Sequence, residues 1–75
     1  MEKMNVCFKS VEDVREFVGL VENKDILGEL RVGTYCLDPA SFLGIMAINL
    51  RTTIRFTIYN AGTDIMNSFK KFAVA

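Results

Sequence analysis

The sequence predicts one α+β domain over residues 1–75, built as an open-faced sandwich in which helices cover a single face of a four-stranded sheet. Short segments in which apolar and more polar residues alternate indicate strands with one buried face. Between them, apolar residues recur at the spacing of amphipathic helices. With 51% hydrophobic and 24% charged residues, the chain has the composition of a globular domain. The predicted element order is βαββαβα.

The first strand and the first helix are predicted within residues 4–25. Met4, Val6 and Phe8 alternate with less apolar neighbours, as in a half-buried strand. Ser10 is a typical helix N-cap, and acidic residues follow it where the helix dipole favours negative charge. The apolar positions of the helix are Val11, Val14, Phe17, Val18 and Val21. The polar segment 23–25 is expected to end it.

Two further strands form a predicted hairpin. The second strand lies within residues 26–32 and carries apolar side chains on either side of Arg31. Gly33 marks a tight turn, and a third strand begins at Tyr35. Pro39 stops that strand and favours the start of a second helix, with Ser41 close to its first turn.

The fourth strand has the clearest pattern, within residues 53–59. Ile54, Phe56 and Ile58 occupy one face, and the residues between them, up to Tyr59, occupy the other. We therefore expect Phe56 in the core and Tyr59 on the outer face.

A last helix is predicted after a turn at residues 60–62. Thr63 or Asp64 can cap it. Its apolar residues are Ile65, Met66, Phe69 and Phe72.

The segment 38–50 carries more apolar residues than a helix with one buried face needs. A stripe facing the core takes Ile45, Ile48 and Leu50. Three large apolar residues are then left over: Phe42, Leu43 and Met46. Exposed apolar side chains grouped beside a helix start are typical of a docking surface. We expect this patch to bind a partner, with packing under a loop or in a dimer as the alternatives.

Charge and residue content exclude several function classes. Nine basic residues balance nine acidic ones without a basic run, which argues against nucleic acid and an anionic membrane as partners. No apolar run approaches the roughly 20 residues of a membrane span, and the first residues lack the apolar region of a signal peptide. We therefore expect a cytoplasmic protein.

Catalytic and metal-binding chemistry is also constrained. Histidine is absent, which removes imidazole-dependent acid–base and triad catalysis. Cys7 and Cys36 lack metal-ligand spacing, so we expect two free thiols, no metal site and no cofactor. No pair of nucleophile and base is visible, so an enzyme is not expected.

Most of the chain resembles the HPr family, the small phosphocarrier proteins of bacterial sugar phosphotransferase systems. Residues 41–50, SFLGIMAINL, are similar to the pattern SIMGVMSLGI of Gram-positive members, and Ile54–Ile58 falls on the family's fourth strand. The resemblance runs without a gap from Phe17 to Gly62. It implies an HPr-like fold, with a four-stranded antiparallel sheet and three helices on one face. The first and third strands would then lie at opposite edges.

The family's carrier site is not retained in this resemblance. Family members hold a transferable phosphate on the histidine of a GLHTRP motif at the start of the first helix. Counting back from Phe17, the histidine position is Ser10, and the positions of the motif's arginine and proline are Glu12 and Asp13. A serine phosphate ester is too stable for a relay, and two carboxylates repel phosphate where arginine would bind it. The resemblance therefore implies a protein that has lost phosphoryl transfer.

The family's second site matches better. In Gram-positive members, a kinase phosphorylates the serine at the start of the second helix, and the product binds a catabolite repressor. Ser41 aligns with that serine, and Phe42, Leu43 and Met46 align with the apolar surface that meets partners. The residue before the serine is Ala40, where the family commonly has a basic side chain. The partners that the resemblance implies are HPr kinase, a catabolite repressor or a phosphotransferase component.

Two function classes follow from this sequence. One is a regulatory or docking module of the phosphotransferase and carbon-regulation system, which uses Ser41 and the adjacent patch. The other is a structural or interaction subunit that keeps only the scaffold. Both are compatible with a monomer or a weak dimer.

Overall fold

The computed structural model describes residues 1–60 and 62–74, and it confirms the predicted order of strands and helices. The strands are β1 (Glu2–Val6), β2 (Gly28–Val32), β3 (Tyr35–Leu37) and β4 (Ile54–Ile58). The helices are α1 (Val11–Asn23), α2 (Phe42–Met46) and α3 (Thr63–Ser68), and a 3₁₀ turn at Lys70–Phe72 follows α3. Ala61, which falls in the predicted turn at 60–62, lies outside the described residues, as does Ala75.

The strands form one antiparallel sheet in the order β1-β4-β2-β3. β4 is central, because Phe56 pairs with Met4 of β1 on one side and with Leu30 of β2 on the other. β1 and β3 lie at opposite edges, about 14 Å apart at the usual strand spacing. A disulfide tolerates a Cα separation of at most about 7 Å. Cys7 and Cys36 therefore cannot join within the chain, and both thiols are free.

One face of the sheet carries the hydrophobic core. Its buried residues are Val6, Leu30, Ile54, Phe56 and Ile58. Packed on them are Val14, Phe17, Val18 and Val21 of α1, Ile45 of α2, and Phe69 and Phe72 after α3. Helical segments thus cover a single face of the sheet, as predicted. Val11, at the exposed first turn of α1, is the one predicted apolar position of that helix that does not face the core.

Five of the six phenylalanines form one aromatic cluster within this core. Phe17 lies at its centre and meets Phe8, Phe56, Phe69 and Phe72 edge-on, with ring centroids 4.9 to 5.5 Å away. Such pairs contribute about 0.5–1.5 kcal/mol each beyond the area that they bury. The cluster therefore ties α1 to the central strand and to the C-terminal segment.

α2 is much shorter than the predicted segment 38–50. It ends at Met46, after which the Ile48 N–H donates to the Ile45 carbonyl at 3.0 Å in a tighter turn. Arg51 then takes a positive φ of 71°, which redirects the chain toward β4. As a result, Ile48 is half-buried and Leu50 is exposed, so the prediction that both belong to the core is wrong for Leu50.

The C-terminal helix also differs from the prediction. Its N-cap is Gly62, not Thr63 or Asp64, and α3 ends at Ser68. Phe69 leaves α-helical geometry, and the chain continues as the 3₁₀ turn. Phe69 and Phe72 both remain buried because residues three apart also share one side of this tighter turn.

The chain closes one edge of its own sheet. Residues 72–74 run beside β1, where the Cys7 N–H donates to the Phe72 carbonyl and the Val74 N–H to the Asn5 carbonyl, both at 2.9 Å. Ala73 forms a bridge with Val6 between these two bonds. Within residues 1–60 and 62–74, no strand pairs with the outer side of β3 at the opposite edge.

Candidate functional site

Ser41 caps α2 at the position that the sequence predicts. The Asp38 carboxylate accepts a hydrogen bond from the Ala40 N–H at 2.9 Å, and the Asp38 carbonyl accepts one from the Ser41 N–H at 3.0 Å. This turn delivers Ser41 to the helix start, where its Oγ accepts from the Gly44 N–H at 3.2 Å. The hydroxyl is half-buried at this position. Local turn chemistry alone therefore sets where the serine lies.

Gly44 is a functional neighbour that sequence reasoning missed. A Cβ atom at position 44 would lie 2.8 Å from Ser41 Oγ, which is closer than such atoms approach. The glycine therefore leaves the space that the serine hydroxyl occupies. The available signal was the spacing of Ser41 and Gly44, three residues apart across a helix start.

The predicted patch is only partly exposed. Leu43 is 81% exposed and points away from the core, as predicted. Phe42 and Met46 are half-buried and pack against the core. The expectation that all three residues lie outside the core is therefore wrong for these two. The reason is that Phe42 lies three residues before the buried Ile45 and so shares its side of the helix. α2 therefore offers one fully exposed apolar side chain flanked by two that are partly covered.

Arg15 of α1 joins α2 to the start of α1, and sequence reasoning did not identify it. Its guanidinium carbon lies over the Phe42 ring, 5.5 Å from the centroid, and its Nε is 3.9 Å from a Glu12 carboxylate oxygen. The exposed ion pair contributes little to stability. Arg15 nevertheless places a positive charge against the Phe42 end of the patch.

Ser10, the position that the resemblance assigns to the carrier histidine, is the N-cap of α1. Ser10 Oγ accepts from the Asp13 N–H at 3.3 Å, while the Asp13 carboxylate accepts from the Lys9 N–H at 3.0 Å. These bonds occupy donors that a helix start would otherwise offer to an anion. Glu12 adds a second, exposed carboxylate in the first turn. The start of α1 is thus capped by Ser10 and carries two acidic residues in its first turn, where the helix dipole favours negative charge.

The open face of the sheet carries a separate polar cluster centred on Glu29. Its carboxylate accepts hydrogen bonds from the Tyr59 hydroxyl, the Cys36 thiol and the Arg31 guanidinium. The bond from Tyr59, followed by that from Cys36, holds the pKa of Glu29 below its ordinary value, and the same bond raises the pKa of Tyr59. Arg31, Arg55 and Tyr59 are exposed here, and the alternation in β4 predicts this for Arg55 and Tyr59.

Thr57 departs from that pattern, because it lies on the open face and is buried. It belongs to the central strand, and its cross-strand neighbours Lys3 and Glu29 cover it from both sides. The polar face is therefore shielded from solvent at Thr57, while Arg55 of the same strand is exposed.

The structure supports a test of the patch residue by residue. We expect Leu43→Ser to leave the melting temperature nearly unchanged, because the side chain is already in water. Phe42→Ser should lower stability by about 1–3 kcal/mol, because it removes a ring that packs against the core. Thermal melts of the two variants check this, and equal losses would show that Leu43 is not free of the core.

Among residues 1–60 and 62–74, no group of three or more His, Cys, Asp or Glu side chains is placed to hold a metal ion. In the same residues, no helix has the length and apolar content needed to cross a membrane. Comparison of the chain with protein-family models, curated proteins and solved structures found no match.

Proposed function

We propose that this chain is an HPr-like regulatory or docking module of the sugar phosphotransferase and carbon-regulation system, one that does not carry phosphate on its first helix. The observation that carries the proposal is the placement of Ser41 at the N-cap of α2, two residues before the exposed Leu43. A hydroxyl that a kinase can modify then lies in the same helix turn as an apolar side chain that a partner can bind.

The fold supports the proposal in its coarse features. The element order βαββαβα and a sheet with β1 and β3 at opposite edges are what the resemblance to HPr implies. The residue-level similarity covers α2, which Ser41 caps, and β4, the central strand of the sheet. The degenerate carrier position, with Ser10 bonded to Asp13, supports the second half of the proposal, the loss of phosphoryl transfer.

Phosphorylation of Ser41 would act through charge at the surface. A phosphate adds close to two negative charges and strong hydrogen-bond acceptors. Placed beside Leu43, it would convert an apolar contact point into a mixed apolar and anionic one, which selects a different partner. The sheet and the aromatic cluster lie behind Ile45, so the change should stay confined to α2 and its neighbours.

The kinase test uses the two capping serines as matched controls. Incubation with HPr kinase and ATP should add one phosphate to the wild type and to Ser10→Ala, and none to Ser41→Ala. Each alanine variant loses one N-cap, worth about 1 kcal/mol, so both should stay folded. Intact-mass and peptide analysis reads the result. Phosphate on neither serine, or on Ser10, contradicts the proposal, as does a large chemical-shift change across the whole sheet.

The carrier test uses radiolabelled phosphoenolpyruvate and the general phosphotransferase enzyme. We expect no label on the protein, because the carrier position is Ser10 and the flanking Glu12 and Asp13 repel phosphate. An HPr protein with its histidine serves as the positive control. Acid-labile label on this chain would show that another group accepts the phosphoryl group.

A scaffold subunit without regulation is the second candidate, and one observation favours it. Phe42 and Met46 are half-buried against the core, which reduces the patch that a partner can reach. Capture of partners with wild type and with Ser41→Asp separates the two candidates. A regulated module should bind different proteins in the two states, whereas a scaffold subunit should bind the same ones.

A further inference from the structure

The two edges of the sheet differ in whether another segment of the chain covers them. The edge at β1 is covered by residues 72–74, through the bridge between Val6 and Ala73. The edge at β3 is left open in the part of the chain that the structure describes. Native proteins protect an open edge by keeping its strand short or by placing charged side chains or proline on it, because unpaired backbone groups attract another strand. β3 is short, at three residues, but Tyr35, Cys36 and Leu37 carry no charge.

The hairpin geometry shows which backbone groups face outward. Gly33 (φ 58°) and Thr34 form a two-residue turn, so the flanking pair Val32 and Tyr35 is hydrogen-bonded. Bonded and non-bonded pairs alternate along an antiparallel ladder. Cys36, opposite Arg31, is therefore in a non-bonded pair, and its N–H and C=O point away from β2.

An apolar groove adjoins this edge. It has a volume of about 350 Å³ between the hairpin and α2. Its lining residues are Val32, Tyr35, Leu37, Gly44, Ala47 and Ile48. All of them are uncharged, and Tyr35 at the rim is 72% exposed. The edge thus combines outward backbone groups with an apolar surface on one side.

We propose that the β3 edge pairs with the β3 edge of a second copy of this chain, antiparallel about a two-fold axis at Cys36. Cys36 then exchanges both backbone hydrogen bonds with the partner's Cys36. Tyr35 lies opposite the partner's Leu37, where its ring covers part of the partner's groove. Such an interface is self-complementary, as two-fold symmetry requires.

The distribution of charge favours a second copy of this chain as the partner that pairs with the β3 edge. The side chains of β3 and of the groove are uncharged. The one carboxylate that contacts Cys36, that of Glu29, is paired with Arg31, so two identical edges bring no unpaired like charges together. In this register Asp38, the first charged residue after β3, lies opposite the partner's uncharged Thr34. The chain as a whole has a formal net charge of zero, so two copies do not repel each other at long range.

Only a few residues of each edge can pair, which limits the affinity of the dimer. Pro39 follows Asp38 and ends the segment that can pair, so the interface stays well below the roughly 800 Å² per partner of stable complexes. We expect a weak dimer that is half-populated at about 0.1–1 mM. Sedimentation of the full chain over about 0.02–2 mM should show an average mass that rises toward twice the monomer.

A matched pair of variants identifies the edge. Tyr35→Lys places an ammonium group at the edge and should leave the protein monomeric over that range. Tyr59→Lys makes the same substitution on the open face, beside Glu29, and should dimerise like the wild type. Both residues are exposed, so both variants should fold. A wild type that stays monomeric throughout overturns the proposal and leaves the edge to a strand of another protein, and equal effects of the two variants overturn it as well.

The two cysteines test the register. Pairing at the two-fold axis brings the two Cys36 Cα atoms to about 5.5 Å, within the range of a disulfide. Diamide, which takes up the two electrons and two protons of the paired thiols, should therefore link Cys7→Ser copies and not Cys36→Ser copies. Urea should abolish the link, because it needs the folded edge. Linking through Cys7, or equal linking in urea, contradicts this register.

Discussion

Phe56→Ala should cost about 3–5 kcal/mol of the free energy of unfolding, the usual loss when a buried phenylalanine is truncated. The ring is fully buried in the central strand and meets Phe17 at 4.9 Å and Phe69 at 5.1 Å between centroids. A domain of this size has a total stability near the low end of about 5–15 kcal/mol. The variant should therefore retain at most about 2 kcal/mol of stability, as denaturant melts monitored by circular dichroism will show.

Tyr59→Ala is the matched control, because it removes a ring of similar size just after the same strand. Tyr59 is 50% exposed and faces the open side of the sheet. Its hydroxyl donates to Glu29, an exposed bond whose loss should cost about 1 kcal/mol or less. Similar losses for the two variants would show that the two faces of β4 have been assigned wrongly.

Gly28→Ala should destabilise the protein by about 3 kcal/mol or more, through a steric clash with backbone. A Cβ atom at this position would lie 2.2 Å from the carbonyl oxygen of Thr57. Thr57 belongs to β4, which is paired on both sides and cannot move away. Only a shift of β2 relative to the central strand relieves the clash, and that shift breaks the pairing between Gly28 and Ile58.

Gly19→Ala provides a control with the opposite sign. Gly19 lies within α1, and no atom beyond its immediate neighbours is within 4 Å of the added Cβ. Alanine there should stabilise the protein by about 0.5–1 kcal/mol, because it lowers the entropy of the unfolded chain. Melting temperatures that move in opposite directions for the two variants would confirm the close approach at Gly28. A Gly28→Ala protein as stable as wild type would refute it.

The secondary structure could be predicted where local pattern decides it. The alternation around Phe56 assigned both faces of β4, and Ser10 and Ser41 marked two helix starts. The length of α2 could not be predicted, because its end at Met46 depends on how the following turn reaches β4. The contact between Gly28 and Thr57 could not be predicted either, because it joins residues that are distant in sequence.

The candidate site shows the same distinction between features set by local sequence and features set by distant contacts. The place of Ser41 follows from its own turn and from the Gly44 N–H, so sequence reasoning could find it. The partial burial of Phe42 depends on Arg15 and on how α1 packs against α2, which no local pattern reveals. Counting apolar residues in one helix therefore overestimates the surface that remains for a partner.

The bridge between Val6 and Ala73 has a consequence for how the domain is made. β1 is the first element to be synthesised, and the segment that closes its outer edge comes after every other element of the domain. Contacts between residues so far apart in sequence are slow to form, because the intervening chain must first be ordered. A nascent chain that lacks residues 72–74 would keep β1 exposed and would also lack Phe72 from the aromatic cluster. The domain should therefore reach its native state only once residues 72–74 are available to pair with β1, and until then its first strand is the part most exposed to misassociation.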